Sequence, residues 1–477
     1  MKRRLPGLLL VLLAVIGVVV AARDPRESTV PQFSVSTEGW MPSAPLPGGL
    51  IESWFCPGVP ATGVDGVGGE IVIANRGGEA LEGTVLVLND DAESRRLDLL
   101  VDPWTTATLD LDATLPGSIT GAVVEIEGGG ALVEQVALDA DGNSVAPCAN
   151  ATSDQWYLAD GFTVEGSLDQ VILTNPFEQT VVANLSFTTR EGYREPGSYR
   201  GITVPPRSIR VIDLGAPGAG AQSEPVLAVS VEVTRGRLVV GRSQDFSGGG
   251  RSGTQVTLAS PVTREQWWFA DGAKGSGIDE QYVIFNPTSQ AVEVDVLFVG
   301  IDVPVLVDPI AVPARQVVVY DSSTQTDLPD GDHSVVFATA SSDPSIVVDQ
   351  VITRTDGEVR GTGVLTGALA RNGYVASTWY VPQGPDEAVS AGLVIYNVDN
   401  EPGTVTVSAV GRSGPVPIEG LTDVEYGAAA RFTLDLDDPL VAGRQLIVEG
   451  TTRIMVERSF PNGVGSLRTP SWAIPQG

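Results

Sequence analysis

The chain has 477 residues, and its 59 Asp plus Glu outnumber 29 Lys plus Arg, a formal charge of −30. Phosphate backbones and anionic surfaces would repel it, which argues against nucleic acid as a partner. Only 18% of residues are charged, and 55 Gly and 33 Pro punctuate Val- and Thr-rich runs, which suits short strands joined by many turns. One histidine and two cysteines are too few for an ordinary zinc site.

Lys2-Arg3-Arg4 precede an apolar run over residues 5–22 that Arg23-Asp24 end. This is an export signal whose basic end stays in the cytoplasm, so everything after it faces outward. The run exceeds a usual signal-peptide core and nearly spans a bilayer, which predicts a retained single-pass anchor. Val20 and Ala22 suit the small positions before a cleavage site, so a cleaved signal and a secreted product is the alternative. Residues 23–49, ending in Pro42, Pro45, Pro47, Gly48 and Gly49, read as a linker.

From there one phrase recurs. Trp156-Tyr157-Leu158-Ala159-Asp160-Gly161 is followed by an apolar strand ending at Asn175-Pro176, and Trp267-Trp268-Phe269-Ala270-Asp271-Gly272 by one ending at Asn286-Pro287. Trp379-Tyr380 with Asn397 is a third copy, and Trp54-Phe55 with Asn75 is the loosest. A unit of this length closes its own core, so the repeats predict four domains: 50–150, 151–262, 263–373 and 374–477.

Within each repeat, the Asn-terminated strand and the alternating strand after it (residues 84–88, 181–187, 292–298 and 405–410) read as a β-hairpin. A proline- or glycine-led strand, a further strand and a regular penultimate strand follow. The last of these turns at Asp141-Gly142, Gly248-Gly249-Gly250, Asp356-Gly357 or Asn462-Gly463, all hairpin residues. About seven short strands per repeat predict an all-β chain of four tandem immunoglobulin-like β-sandwiches after an N-terminal hydrophobic helix.

The order Trp-aromatic-x-Ala-Asp-Gly, then Asn-Pro, then Val-Pro-x-Arg, then a Val-rich strand ending in Gln or Arg resembles repeats of a bacterial family of unknown function. That family occurs in exported, often membrane-anchored actinobacterial proteins. The resemblance covers most of residues 50–477 and is closest in repeats 2 and 3. It implies a cell-envelope β-domain and brings no catalytic residue.

Cys56 and Cys148 flank repeat 1, and in an exported chain they predict one disulfide between its first and last strands. One tryptophan per repeat is expected in the core. The doublet Trp267-Trp268 differs, because neighbours in a strand point to opposite faces, so Trp267, Trp268 and Asp271 are the candidate ligand contacts. The same alternation turns one residue of Glu134-Gln135, Asp349-Gln350 and Glu457-Arg458 inward, where a clamp onto nearby backbone is expected. Asp139-Ala140-Asp141-Gly142-Asn143 has oxygens at alternate positions but departs from a calcium loop, and a turn explains it better. His333 occurs in one repeat of four and lies in no catalytic motif, so no catalytic, metal or cofactor residue is assigned and no cofactor is expected.

The expectation is a non-catalytic cell-envelope protein, a membrane anchor and stalk displaying the sandwiches as a semi-rigid rod. Its partner would be an envelope protein. The alternative is a module that binds a cell-wall polymer, a carbohydrate, through the repeated tryptophans.

Overall fold

β-Branched runs interrupted by glycine and proline satisfy their backbone by pairing with other strands, and the computed structural model is nearly all β. It describes residues 42–45, 50–339, 345–368 and 376–477. The apolar segment over residues 5–22 and most of the expected linker lie outside these residues. Among the described residues no helix is long and apolar enough to cross a membrane.

Repeats 1 to 3 each build the same two antiparallel sheets, most plainly repeat 3. Its first sheet runs Gln266–Lys274, Gly331–Thr339, Val292–Val299, Val305–Val312, and its second Gln316–Asp321, Ile278–Asn286, Val347–Asp356, Val359–Thr366. In chain order these sheets are 1-6-3-4 and 5-2-7-8. No sheet among the described residues takes strands from two repeats. In repeat 4 the sixth and seventh strands merge into one run, Leu446–Pro461, which joins the two sets of strands into a single nine-stranded sheet.

Two expectations need correction. The Asn-terminated second strand and the alternating third strand do not form a hairpin: in repeats 1 to 3 they lie in different sheets, and in repeat 4 each pairs with Leu446–Pro461 and not with the other. The third strand pairs instead with a fourth that the sequence reading passed over, Ser94–Val101 in repeat 1 and Val305–Val312 in repeat 3. Strand order also departs from an immunoglobulin domain, in which the first two strands are sheet neighbours; here the first pairs with the sixth.

The asparagine ending each second strand explains the crossing. Asn286 is fully buried, and its Nδ2 donates to the carbonyls of Gln290, Val312 and Pro313 while its Oδ1 accepts the Thr288 N–H. Asn175 does the same with Gln179, Val204, Pro205 and Phe177, Asn75 with Glu79, Val101, Asp102 and Gly77. One primary amide thus ties the turn after strand 2 to the turn before strand 5. That second turn carries a left-handed residue in all four repeats: Trp104, Arg207, Arg315 and Ala429 have φ of 58, 49, 53 and 48°. In repeats 2 and 3 this residue is the arginine of Val-Pro-x-Arg, and in repeats 1 and 2 a proline, Pro103 or Pro206, directly precedes it, the arrangement a type II turn favours.

Trp54, Trp156 and Trp379 are buried in the cores, as expected, and Trp267 of the doublet is buried as well. The predicted turns of strands 7 and 8 are real hairpins. The eighth strands, Ser144–Pro147, Arg251–Leu258, Val359–Thr366 and Arg468–Trp472, touch one another in succession, and the fourth returns to the first. The four repeats therefore close into a ring of contacts, and the extended rod is corrected. The described residues cluster as one compact unit.

Candidate functional site: the junctions between repeats

The recurring phrases converge where one repeat meets the next. Alternation sends the first aromatic of each phrase into its own core and the second the other way. Phe55 of repeat 1 joins the core of repeat 2, Tyr380 of repeat 4 joins that of repeat 1, and the Trp268 ring lies 5.4 Å from that of Tyr396 in repeat 4. Each Trp-aromatic pair holds two cores at once.

The polar pairs of the penultimate strands face the same junctions. Asp349 of repeat 3 accepts the Ala159 and Asp160 N–H groups of repeat 2 at 2.9 and 2.8 Å. Glu457 of repeat 4 accepts the Ala270 and Asp271 N–H groups of repeat 3 at 3.1 and 3.0 Å. The expected clamp is present, and it acts between repeats. At the junction of repeats 1 and 2 the loop offers Pro57, which has no N–H, and the clamp position is Gly241, where a Cβ would sit 2.7 Å from the Pro57 ring. At the closing junction the loop offers Pro382, and Glu134 turns to Arg458 of repeat 4 instead.

Burial without full compensation shifts these acids. It pushes Asp349 up to about 6, against the N–H bond from Asp160 that favours the carboxylate. Burial also holds Glu457 well above the usual carboxylate range, and the Asp271 charge beside it acts in the same direction.

A second clamp sits inside repeats 2 and 3. Asp169 and Glu280, each six residues before the latch asparagine, accept the Phe162 and Ala273 N–H groups at 2.8 and 3.2 Å. Asp169 is ion-paired with Arg242 at 3.1 Å, and Glu280 meets Gln350 and His333, both at 2.9 Å. Burial raises Asp169 to about 6, although the Arg242 charge opposes it. These contacts explain the glycine of Ala-Asp-Gly, since a Cβ at Gly161 would lie 2.8 Å from Asp169 and one at Gly272 2.6 Å from His333. The sequence reading missed Asp169, Glu280 and Arg242; the shared six-residue offset of Asp169 and Glu280 from the latch asparagine was the available signal.

The proposed ligand contacts are placed as follows. Trp267 is fully buried and its indole donates to the Ile346 carbonyl at 2.9 Å, so a ligand cannot reach it. Trp268 is half-buried against repeat 4. Asp271 is buried and pairs with Arg431 of repeat 4 at 3.0 Å and with Arg354 at 3.4 Å. The doublet forms no open platform; strand alternation turned Trp268 outward, but the adjoining repeat covers that face. A cleft of about 300 Å³ borders Asp271, with Arg354, Arg431, Arg468 and Asp332 on its walls.

His333 is buried, and its ring meets Phe298 edge-on at 5.0 Å. With Glu280, Gln350 and the Tyr282 hydroxyl it forms a polar network within the core of repeat 3. Asp139 accepts the Asp141 N–H, and Asn143 closes back on Asp139, so this segment is a hydrogen-bonded turn. No group of three or more His, Cys, Asp or Glu among the described residues is arranged to hold a metal ion. Cys56 and Cys148 form a disulfide with Cα atoms 4.4 Å apart, beside the Phe55–Ala149 bridge that joins the first strand to the chain beyond the eighth.

A family of unknown function, DUF5719, matches residues 130–250. The matched stretch runs from the penultimate strand of repeat 1 to that of repeat 2, so it crosses their junction. It agrees with the resemblance read from the sequence only as far as a family of unknown function. No curated protein matches the chain. Among solved structures, a Thermotoga maritima protein designated 1070 is 13% identical, with 22% of this chain and 93% of that chain covered at a TM-score of 0.20. A tetra-tandem repeat from the extending region of a large adhesion protein is 13% identical, covering 85% and 94% at 0.13. The Streptomyces avermitilis α-L-rhamnosidase complexed with L-rhamnose is 8% identical, covering 80% and 54% at 0.14. These scores fall short of a shared fold.

Proposed function

We propose that the chain is a non-catalytic envelope protein, held by its N-terminal segment in the cytoplasmic membrane with the rest outside. Its four repeats act as a closed scaffold presenting outer loops and edge strands to another envelope protein. Each repeat is immunoglobulin-like in its layering and size, though not in its strand order. The observation that carries this reading is where the recurrent residues are spent. The second aromatics, the Ala-Asp loops, Asp349 and Glu457 hold one repeat against the next, so the repeated signature is an assembly device.

Titrating the ectodomain with cell-wall glycans while following tryptophan fluorescence tests it. No response is expected. A saturable response abolished by Trp268→Ala would overturn the scaffold reading in favour of the carbohydrate-binding module. Protease added to wall-stripped cells should digest the ectodomain, and full protection would refute the topology.

A further inference from the structure

The ring is covalently continuous at three junctions and closes at the fourth, between repeats 4 and 1. A short piece of chain lies in that seam. Ala44 bridges Gln476 in parallel: its N–H donates to the Pro475 carbonyl at 2.8 Å, and its carbonyl accepts the Gly477 N–H at 3.0 Å. The Ser43 carbonyl accepts Asn150 Nδ2 of repeat 1 at 2.8 Å, and the Pro45 carbonyl accepts the Arg76 guanidinium. The Ala44 methyl is fully buried in a core cluster with Trp54 of repeat 1 and with Tyr380 and Ile474 of repeat 4. Both repeats therefore build one groove, and Arg76 joins its walls by lying 5.2 Å over the Tyr380 ring.

The contacts have the form of peptide recognition. Three successive carbonyls and the Ala44 N–H are read through the backbone, as when a strand is added to a sheet edge. Prolines at 42 and 45 remove two N–H groups that would need partners and favour the extended conformation. Side-chain selection falls on Ala44, which has no room to grow. Gly477 packs so closely that a Cβ there would lie 3.0 Å from the Ser43 hydroxyl.

We propose that the seam between repeats 4 and 1 is a binding groove for an extended, proline-flanked peptide with a small central residue. The groove is filled in cis by residues 42–45, whose occupancy latches the ring closed. None of the contacts requires the covalent link to residue 50, so the same peptide should bind in trans once that link is cut.

The test uses the full chain with a specific protease site inserted between Gly48 and Gly49, and a labelled peptide copying residues 38–47. After cleavage, retention of the N-terminal fragment through size exclusion, or its replacement by labelled peptide with a saturable anisotropy rise, is the expected result. Uncut protein should bind the peptide at least tenfold more weakly, because its groove is full. A peptide carrying Ala44→Asp should not bind. Release of the fragment without rebinding, or equal binding of the two peptides, would overturn the proposal. This readout does not depend on the protein having the envelope partner proposed above.

Discussion

The Asp349 carboxylate of repeat 3 accepts the main-chain N–H of Asp160 in repeat 2 at 2.8 Å, with the Ala159 N–H bound to the same oxygen. One side chain thereby satisfies two buried donors of another repeat. Asp349→Ala should destabilise the protein by about 2 kcal/mol or more, since each stranded N–H costs roughly 1–3 kcal/mol. Asp349→Asn keeps an acceptor and should cost less. Equal losses in urea denaturation would show that the N–H bonds are not what Asp349 contributes.

Stability should rise as the solution is acidified from about pH 7 to about pH 5. Asp349 and Asp169 are raised to about 6 from an ordinary 3.8, so the folded chain binds these protons more tightly than the unfolded chain. Their contribution is fully present below the unfolded value and is lost as pH rises through about 6. Glu457, also raised by burial, acts in the same direction. Thermal melts across this range should show a higher midpoint at the acid end, and Asp169→Asn with Asp349→Asn should flatten the profile. A midpoint that falls on acidification in the native protein would contradict the assignment.

The closing seam depends on Arg458 and Glu134, both buried. Arg458→Met alone should cost about 3–5 kcal/mol by leaving Glu134 without its partner, while Glu134→Met with Arg458→Met should recover much of the loss. A double-mutant cycle in urea measures the coupling, and additive effects would count against the pair.

Asn286→Ala removes the donor to three carbonyls and the acceptor for Thr288. A loss of about 2–3 kcal/mol is expected, with each net hydrogen bond worth about 1 kcal/mol. Hydrogen exchange should show the change concentrated around residues 286–290 and 312–316. Uniform loosening of all four repeats would argue against a local latch.

Mass spectrometry of the non-reduced protein should find the Cys56 and Cys148 peptides linked. With the cysteines 92 positions apart, reduction should cost up to about 4–5 kcal/mol in the loop-entropy model. Because Asn150 follows Cys148 closely and holds Ser43, reduction should also speed proteolysis around residues 42–45. Unchanged cleavage there would separate the disulfide from the seam.

The sequence by itself determined the β class, the buried tryptophans and the Cys56–Cys148 pair. Each follows from local signals: period-two alternation, turn residues such as Asp356-Gly357, and a phrase repeated at domain spacing. Alternation also shows that Asp349 and Gln350 face opposite ways. It does not show what lies on either side.

Only the tertiary structure decided that the outward face is covered by another repeat, which turned Trp268 from an exposed ring into a junction contact and Asp349 into a bridge to repeat 2. The same limit hid the crossing between strands 2 and 3. A turn looks alike in sequence whether its strands pair or part, and the Asn286 latch is made with carbonyls more than twenty residues away. Closure of the ring was hidden for the same reason. It joins Glu134 to Arg458 and Ala44 to Pro475, contacts whose partners lie hundreds of residues apart and whose geometry arises only when four similar units are set side by side.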